Sequence, residues 1–387
     1  MAAEGRIKGW CPGAWRPMAS GDGLLVRVRP YRGRLSRAQA LALCDAAEDF
    51  GSGLIELSNR ANLQLRGVSE AGWPGLLGVL AEQGLLDPDP DSESRRNLLL
   101  APDWRPGDDT NAGARLLLSR LAELPALPGK FGFAIDAGPA PVLGAASADL
   151  RIERAAPGAL LVRADGHARG TPVASVEEAV TLLLRLAHWF VDSGGQVTGR
   201  MRRHQAPLPS WAPATMAPAA PGSPLALGAH PLGRVCGLPF GRVEAAVLRA
   251  ALEPQAVTGV RLTPWRRLLI EGAGAPAPAG LLDDNDDPRL AVDACPGAPG
   301  CGQATVATRD LAERLIARLC GPGGGSVHVS GCRKGCARRE PSTLCLVGRD
   351  GRYDLVVHGR ADAKPAATGL NESDVFAYLE NFDAPRL

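Results

Sequence analysis

Hydrophobic and polar positions alternate along residues 23–30, where Val26 and Val28 interleave with Arg27 and Arg29, the pattern of a half-buried strand. After Ser36, a natural N-cap, the spacing turns helical over residues 37–50. Two short strands are predicted at 53–57 and 62–66, joined by the turn-prone Ser58-Asn-Arg-Ala61, with a second helix at 69–84. An acidic, proline-bearing loop (87–93) leads into a strand at 97–101, a helix at 111–124 and a strand at 130–136. A hairpin at 148–164 and a helix at 175–192 complete this half, a β-α-β-β-α unit followed by another α+β layer.

Residues 206–224 carry six prolines and many alanines, which reads as a linker or an extended crossover. Beyond them the pattern restarts: a helix at 242–252, paired strands at 257–262 and 267–271, a helix at 304–320 and a strand at 326–330. Thr263-Pro-Trp-Arg-Arg then occupies the place of Ser58-Asn-Arg-Ala-Asn, and residues 97–136 correspond to 291–336. A repeat this long is a duplicated domain and not a solenoid. The expected division is a half-domain at 1–90, an α+β domain at 91–205, the linker at 206–224, a second half-domain at 225–280 and a further α+β domain at 281–387.

Composition fits a globular protein of 387 residues, 45% hydrophobic. A net charge of only +2 gives no electrostatic case for nucleic acid, and no apolar run is long enough to cross a membrane. Nine cysteines is an odd number, five of them (Cys11, Cys44, Cys236, Cys320, Cys345) show no framework spacing, and no apolar signal segment stands in residues 1–20, which together lead to the expectation of a reducing cytoplasm. Four of the nine form two pairs, Cys295 with Cys301 and Cys332 with Cys336, rich in neighbouring glycine and proline. The first pair is too wide for the usual zinc knuckle. Four thiolates on varied loops suit a [4Fe–4S] cluster better than zinc or disulfides. Among the six histidines no 2-His-1-carboxylate spacing stands out; His328, on the strand before Cys332, alternates with Val327 and Val329. Gly321-Pro-Gly-Gly-Gly-Ser326 follows a helix and precedes a strand, the wrong order for a dinucleotide fingerprint.

The C-x5-C and C-x3-C pairs at the end of a duplicated α+β chain resemble the siroheme-dependent nitrite and sulfite reductases. The resemblance implies an α+β, pseudo-two-fold nitrite/sulfite reductase-like fold, with ferredoxin-like half-domains and a cluster-binding α+β domain. It also implies Cys295, Cys301, Cys332 and Cys336 as cluster ligands, with Cys336 in the place that bridges to siroheme iron. Asn59-Arg-Ala-Asn-Leu-Gln-Leu-Arg66 resembles the strand that meets the tetrapyrrole and the substrate anion. Arg60 takes the anion-binding place, and Asn62, Gln64 and Arg66 alternate onto one strand face. Arg96 and Lys130 match further substrate-facing cations, so Arg60, Arg96 and Lys130 are the catalytic candidates. Arg16, Arg27 and Arg29 are weaker candidates for the same role. Gly132 departs from the pattern, standing where the reductases carry a second lysine.

Trp10-Cys-Pro-Gly-Ala-Trp-Arg-Pro-Met, Arg60-Ala-Asn-Leu-Gln-Leu-Arg-Gly, Cys295-Pro-Gly-Ala-Pro-Gly-Cys and Val327-His-Val-Ser-Gly-Cys-Arg-Lys-Gly-Cys look more like another branch, the precorrin-3B synthases of the aerobic cobalamin pathway. That likeness implies a monooxygenase using dioxygen and an external reductase or ferredoxin to hydroxylate precorrin-3A at C20, with γ-lactone formation. The tetrapyrrole would then be substrate and not cofactor, with arginine forks pairing its carboxylates. A second, non-haem iron is a candidate oxygen-activating centre. The competing expectations are a siroheme-dependent nitrite or sulfite reductase, with siroheme bound, and a non-catalytic iron–sulfur electron-transfer protein.

Overall fold

The structure is a computed structural model that describes residues 11–156, 158–272, 274, 277–319 and 325–381. Trp10, Cys320 and residues 321–324 of the glycine-rich stretch lie outside the described residues. The first half opens with β1 (Met18–Ser20), β2 (Gly23–Val28), β3 (Arg34–Ser36), α1 (Arg37–Phe50), β4 (Leu54–Leu57) and β5 (Leu63–Val68). Helices α2 (Trp73–Glu82) and α3 (Pro90–Arg95) lead to β6 (Leu98–Leu100), α4 (Asp109–Ser119), β7 (Phe133–Asp136), β8 (Leu150–Arg154), β9 (Leu160–Ala164), β10 (Thr171–Val173), α5 (Val176–Asp192) and the short α6 (Gly195–Thr198).

The second half repeats the order with β11 (Gly228–His230), β12 (Gly233–Gly237), β13 (Arg242–Glu244), α7 (Ala245–Leu252), β14 (Gly259–Leu262) and β15 (Arg267–Glu271). Its second layer holds β16 (Val292–Ala294), α8 (Arg309–Leu319), β17 (Val327–Ser330), β18 (Ser342–Arg349), β19 (Arg352–Gly359), β20 (Ala367–Leu370) and α9 (Glu372–Asn381). Even local backbone repeats: Arg32 and Phe240 (φ 56° and 54°), and Ala61 and Arg266 (φ 50° and 58°), are left-handed at equivalent turns.

Among the described residues these strands form four five-stranded sheets. Sheets β10-β9-β8-β7-β6 and β16-β17-β18-β19-β20 share one topology, with parallel pairs at the β6 and β16 edges. The other two exchange strands. Sheet β1-β2-β5-β4-β13 is completed by a strand of the second half, Val243 opposite Ile55. Sheet β11-β12-β15-β14-β3 is completed by a strand of the first, Leu35 opposite Val260. One apolar core follows from the exchange: Leu35, Leu43, Ile55 and Leu65 pack in the same cluster as Val243, Leu248, Val260 and Leu268.

Two segments depart from the sequence-based expectation, and residues 206–224 follow the extended course it allowed. The helix expected over 242–252 begins as a strand, and α7 starts only at Ala245. The acidic loop 87–93 is largely folded inward: Asp89 caps α3, while Asp87 and Glu93 are buried. Residues 206–224 run as extended chain bridged at Met216 to Gly170 and at Pro218 to Ala155.

Candidate functional site

Cys295 directly follows β16 and Cys332 lies just past β17, so both cysteine pairs leave the C-terminal ends of adjacent parallel strands. All four thiols are free of disulfides. Burial pushes the Cys295 thiol up; the amides of Gly331 and Gly297 oppose this, and Cys301 and Cys332 add to it. The Gly331 N–H donates to Cys295 Sγ at 3.2 Å. Cys336 is the exposed member, yet the protein around it still raises its thiol to about 11, with Cys295, Cys332 and Cys301 contributing. The four sulfurs are therefore close enough to feel one another. Soft thiolates of this number, with a backbone amide aimed at one of them, fit an iron–sulfur cluster. Among the described residues no group of three or more His, Cys, Asp or Glu is set around a single metal ion, so no ligand set of that kind marks a second iron.

Facing this loop is the polar side of the β1-β2-β5-β4-β13 sheet. Arg27, Gln64, Glu56 and Arg242 stand opposite one another across four strands. Arg27 Nε donates to Gln64 Oε1 at 3.2 Å, Gln64 Nε2 reaches Glu56 at 3.5 Å, and Arg309, the first residue of α8, pairs with Glu56 at 2.5 Å. Alternation along β5 thus does put Gln64 and Arg66 on one face, as the period of a strand demands.

Their employment differs from the expectation. Arg66 is 5% exposed, held bidentately by Asp22 (2.8 and 3.0 Å), by Ser20 Oγ (2.8 Å) and by the Gly300 carbonyl inside the first cysteine loop. Arg96 is equally buried, forked onto Asp87 (2.8 and 2.7 Å), bonded to the Arg29 carbonyl and stacked on Tyr31. Sequence alone displays these arginines but not their buried partners. Asn62 is also buried, its N–H bonded to Ser58 Oγ at 3.1 Å. Arg29 lies against Glu93 and the Pro12 carbonyl.

Arg60 is different. One Nη2 donates to the Lys130 carbonyl at 3.0 Å, while Nη1 is buried without a partner. Burial lowers its pKa, as do the like charges of Arg200 and Arg339, against Cys11 and Asp149. Arg27 is pushed down to about 10, first by burial and then by Arg29 and Arg60, with Cys11 opposing. Cys11, Arg27, Arg200 and Arg339 therefore gather around Arg60; Arg27 carried a sequence signal through its strand alternation and Cys11 through its Cys-Pro-Gly-Ala motif, whereas Arg200 and Arg339 carried none. Lys130 is half-buried beside them. At Gly132 a Cβ would stand 2.8 Å from Asn97 Nδ2 and 3.1 Å from its carbonyl oxygen, a tight fit that a side chain would meet only with Asn97 giving way. His328 is buried and pushed down to about 4 by that burial, hence neutral at pH 7; Nδ1 lies 3.5 Å from Cys345 Sγ and Nε2 has no partner.

Comparison with known proteins agrees with this geometry. The profile of the nitrite/sulfite reductase ferredoxin-like half domain matches residues 16–83. The solved NirA protein of Mycobacterium tuberculosis superposes with a TM-score of 0.59 over 92% of this chain and 79% of that one, at 18% identity, a likeness of fold. A precorrin-3B synthase from a Sinorhizobium species is 33% identical over 404 aligned residues, covering 93% of this chain and 85% of the relative. With near full-length similarity at that level on the duplicated α+β fold, the chain belongs to the precorrin-3B synthase family.

Proposed function

We propose that this protein is an oxygen-dependent oxidoreductase that hydroxylates precorrin-3A at C20 and closes a γ-lactone, forming precorrin-3B. The observation that carries the reading is the excess of cations around Arg60. Asp149 neutralises Arg200 at 2.8 Å, which leaves the partnerless buried guanidinium nitrogen of Arg60, with Arg27 and Arg339 near it, short of negative charge. Burying such a charge is costly unless an anion completes it. A uroporphyrinoid with many acetate and propionate groups supplies carboxylates that match arginine forks.

In this reading Arg60, Arg27 and Lys130 bind substrate carboxylates, with Arg339 approaching from the cluster-bearing half. Gln64 holds Arg27 in place, and Arg96 with Asp87 and Asn62 buttress the wall behind them. Cys295, Cys301, Cys332 and Cys336 would hold a [4Fe–4S] cluster, which supplies electrons one at a time when bound. One atom of dioxygen enters the product and the other leaves as water, taking two electrons and two protons from an external donor such as a ferredoxin or reductase. Glycine at position 132 speaks against a small-oxyanion reductase, which needs a second cation there.

The test is incubation of the iron- and sulfide-loaded protein with precorrin-3A, 18O-labelled dioxygen and a reductant. A product heavier than precorrin-3A by one labelled oxygen atom is expected. Unchanged precorrin-3A at full cluster occupancy would overturn the reading, and a bound isobacteriochlorin spectrum with nitrite or sulfite reduction would replace it.

A further inference from the structure

Arg66 was expected at the substrate, yet its guanidinium meets the cysteine loop and the residues that brace it. Nη2 donates to the Gly300 carbonyl and to Ser20 Oγ, and Ser20 Oγ donates to that same carbonyl at 2.7 Å. Asp22 takes Nε at 2.8 Å, and Glu56 lies 3.7 Å from Nη1. The approach is close enough that a Cβ on Gly21 would stand 2.0 Å from the Pro299 carbonyl oxygen, so the first-half backbone meets the loop directly. Gly300 immediately precedes Cys301. Burial works against the Arg66 charge, but Glu56, Asp22 and the Cys301 thiol together outweigh it and hold its proton more tightly than water would.

We propose that Arg66 is the positioning residue of the cluster: from the opposite half of the molecule it clamps the Cys295–Cys301 loop at Gly300 and places a fixed positive charge beside Cys301. The proposal rests on the cluster assignment above. A buried cation next to an iron–sulfur cluster favours its more negative, reduced form and so raises its reduction potential. Asp22 tempers that charge. Two substitutions in one clamp therefore have opposite electrical signs, whereas simple loosening of the loop would move both in one direction.

The experiment is an EPR-monitored redox titration of the full-length, reconstituted protein, with iron and sulfide counted per chain. Arg66→Gln is expected to shift the cluster potential to more negative values, Arg66→Lys to shift it less, and Asp22→Asn to shift it to more positive values. Unchanged potentials in both Arg66→Gln and Asp22→Asn at full occupancy, or shifts of the same sign, overturn the clamp. If Arg66→Gln holds no cluster, the sign of the Asp22→Asn shift decides alone; if that variant also holds none, retention of the cluster in Arg66→Lys supports the clamp and its loss there overturns it. Wild-type protein without stoichiometric iron and sulfide would instead overturn the cluster assignment itself.

Discussion

Arg60 and Arg66 lie six residues apart on the same stretch, yet one keeps a buried nitrogen unpaired while the other is fully engaged. Replacing Arg60 with alanine should therefore leave the fold intact and weaken precorrin-3A binding by roughly 10- to 100-fold, the worth of one charge-assisted interaction; a substrate titration measures it. Replacing Cys332 with serine should abolish the visible absorbance together with stoichiometric iron and sulfide. Asp136 carries a pH signature of its own. It is 2% exposed, and burial, only partly offset by the amides of Leu143 and Val142, pushes its carboxyl up to about 6. Because this lies above the ordinary aspartate value of 3.8, the folded state binds the extra proton between the two values. The ionised form costs stability, by about 3 kcal/mol above pH 6, and the cost vanishes as pH falls toward 4. Urea denaturation should accordingly show Asp136→Asn gaining on the wild type between pH 4.5 and 7.5.

Among the elements, α1 is the one whose limits the residue pattern marks most sharply, because Ser36 and Gln39 close a capping box on it. Ser36→Ala should cost about 1 kcal/mol in a urea midpoint, and Ser175→Ala at the N-cap of α5 a similar amount. The limits of β15, 267–271, were also legible, since its apolar run is bounded by a turn and a glycine. The exchanged strands β3 and β13 were not: three residues are too few to display a period of two, and their partners lie more than 180 residues away. The site was hidden because its pairings are tertiary. Four cysteines announce a metal centre by spacing alone, whereas nothing in the sequence links Arg66 to Asp22 or Arg96 to Asp87, and nothing marks Arg200 and Arg339 as neighbours of Arg60. Gly132 was visible as a departure, but the close approach of Asn97 to it is tertiary.

For the molecule as a whole, reciprocal exchange makes each half incomplete without the other. Chains split after residue 205 should fail to give cooperative unfolding when expressed singly, and should co-purify with native-like unfolding when expressed together; size-exclusion and circular dichroism would decide. The exchange has a further consequence during synthesis. The backbone edge of β4 is complete once Leu57 leaves the ribosome, but its covering strand arrives only with Glu244. At roughly 5–20 residues per second that edge waits about 10–40 s for its neighbour, and an uncovered edge invites pairing with another chain. The nascent first half is thus the aggregation-prone stage in this protein's life, and slow translation of the second half would lengthen it.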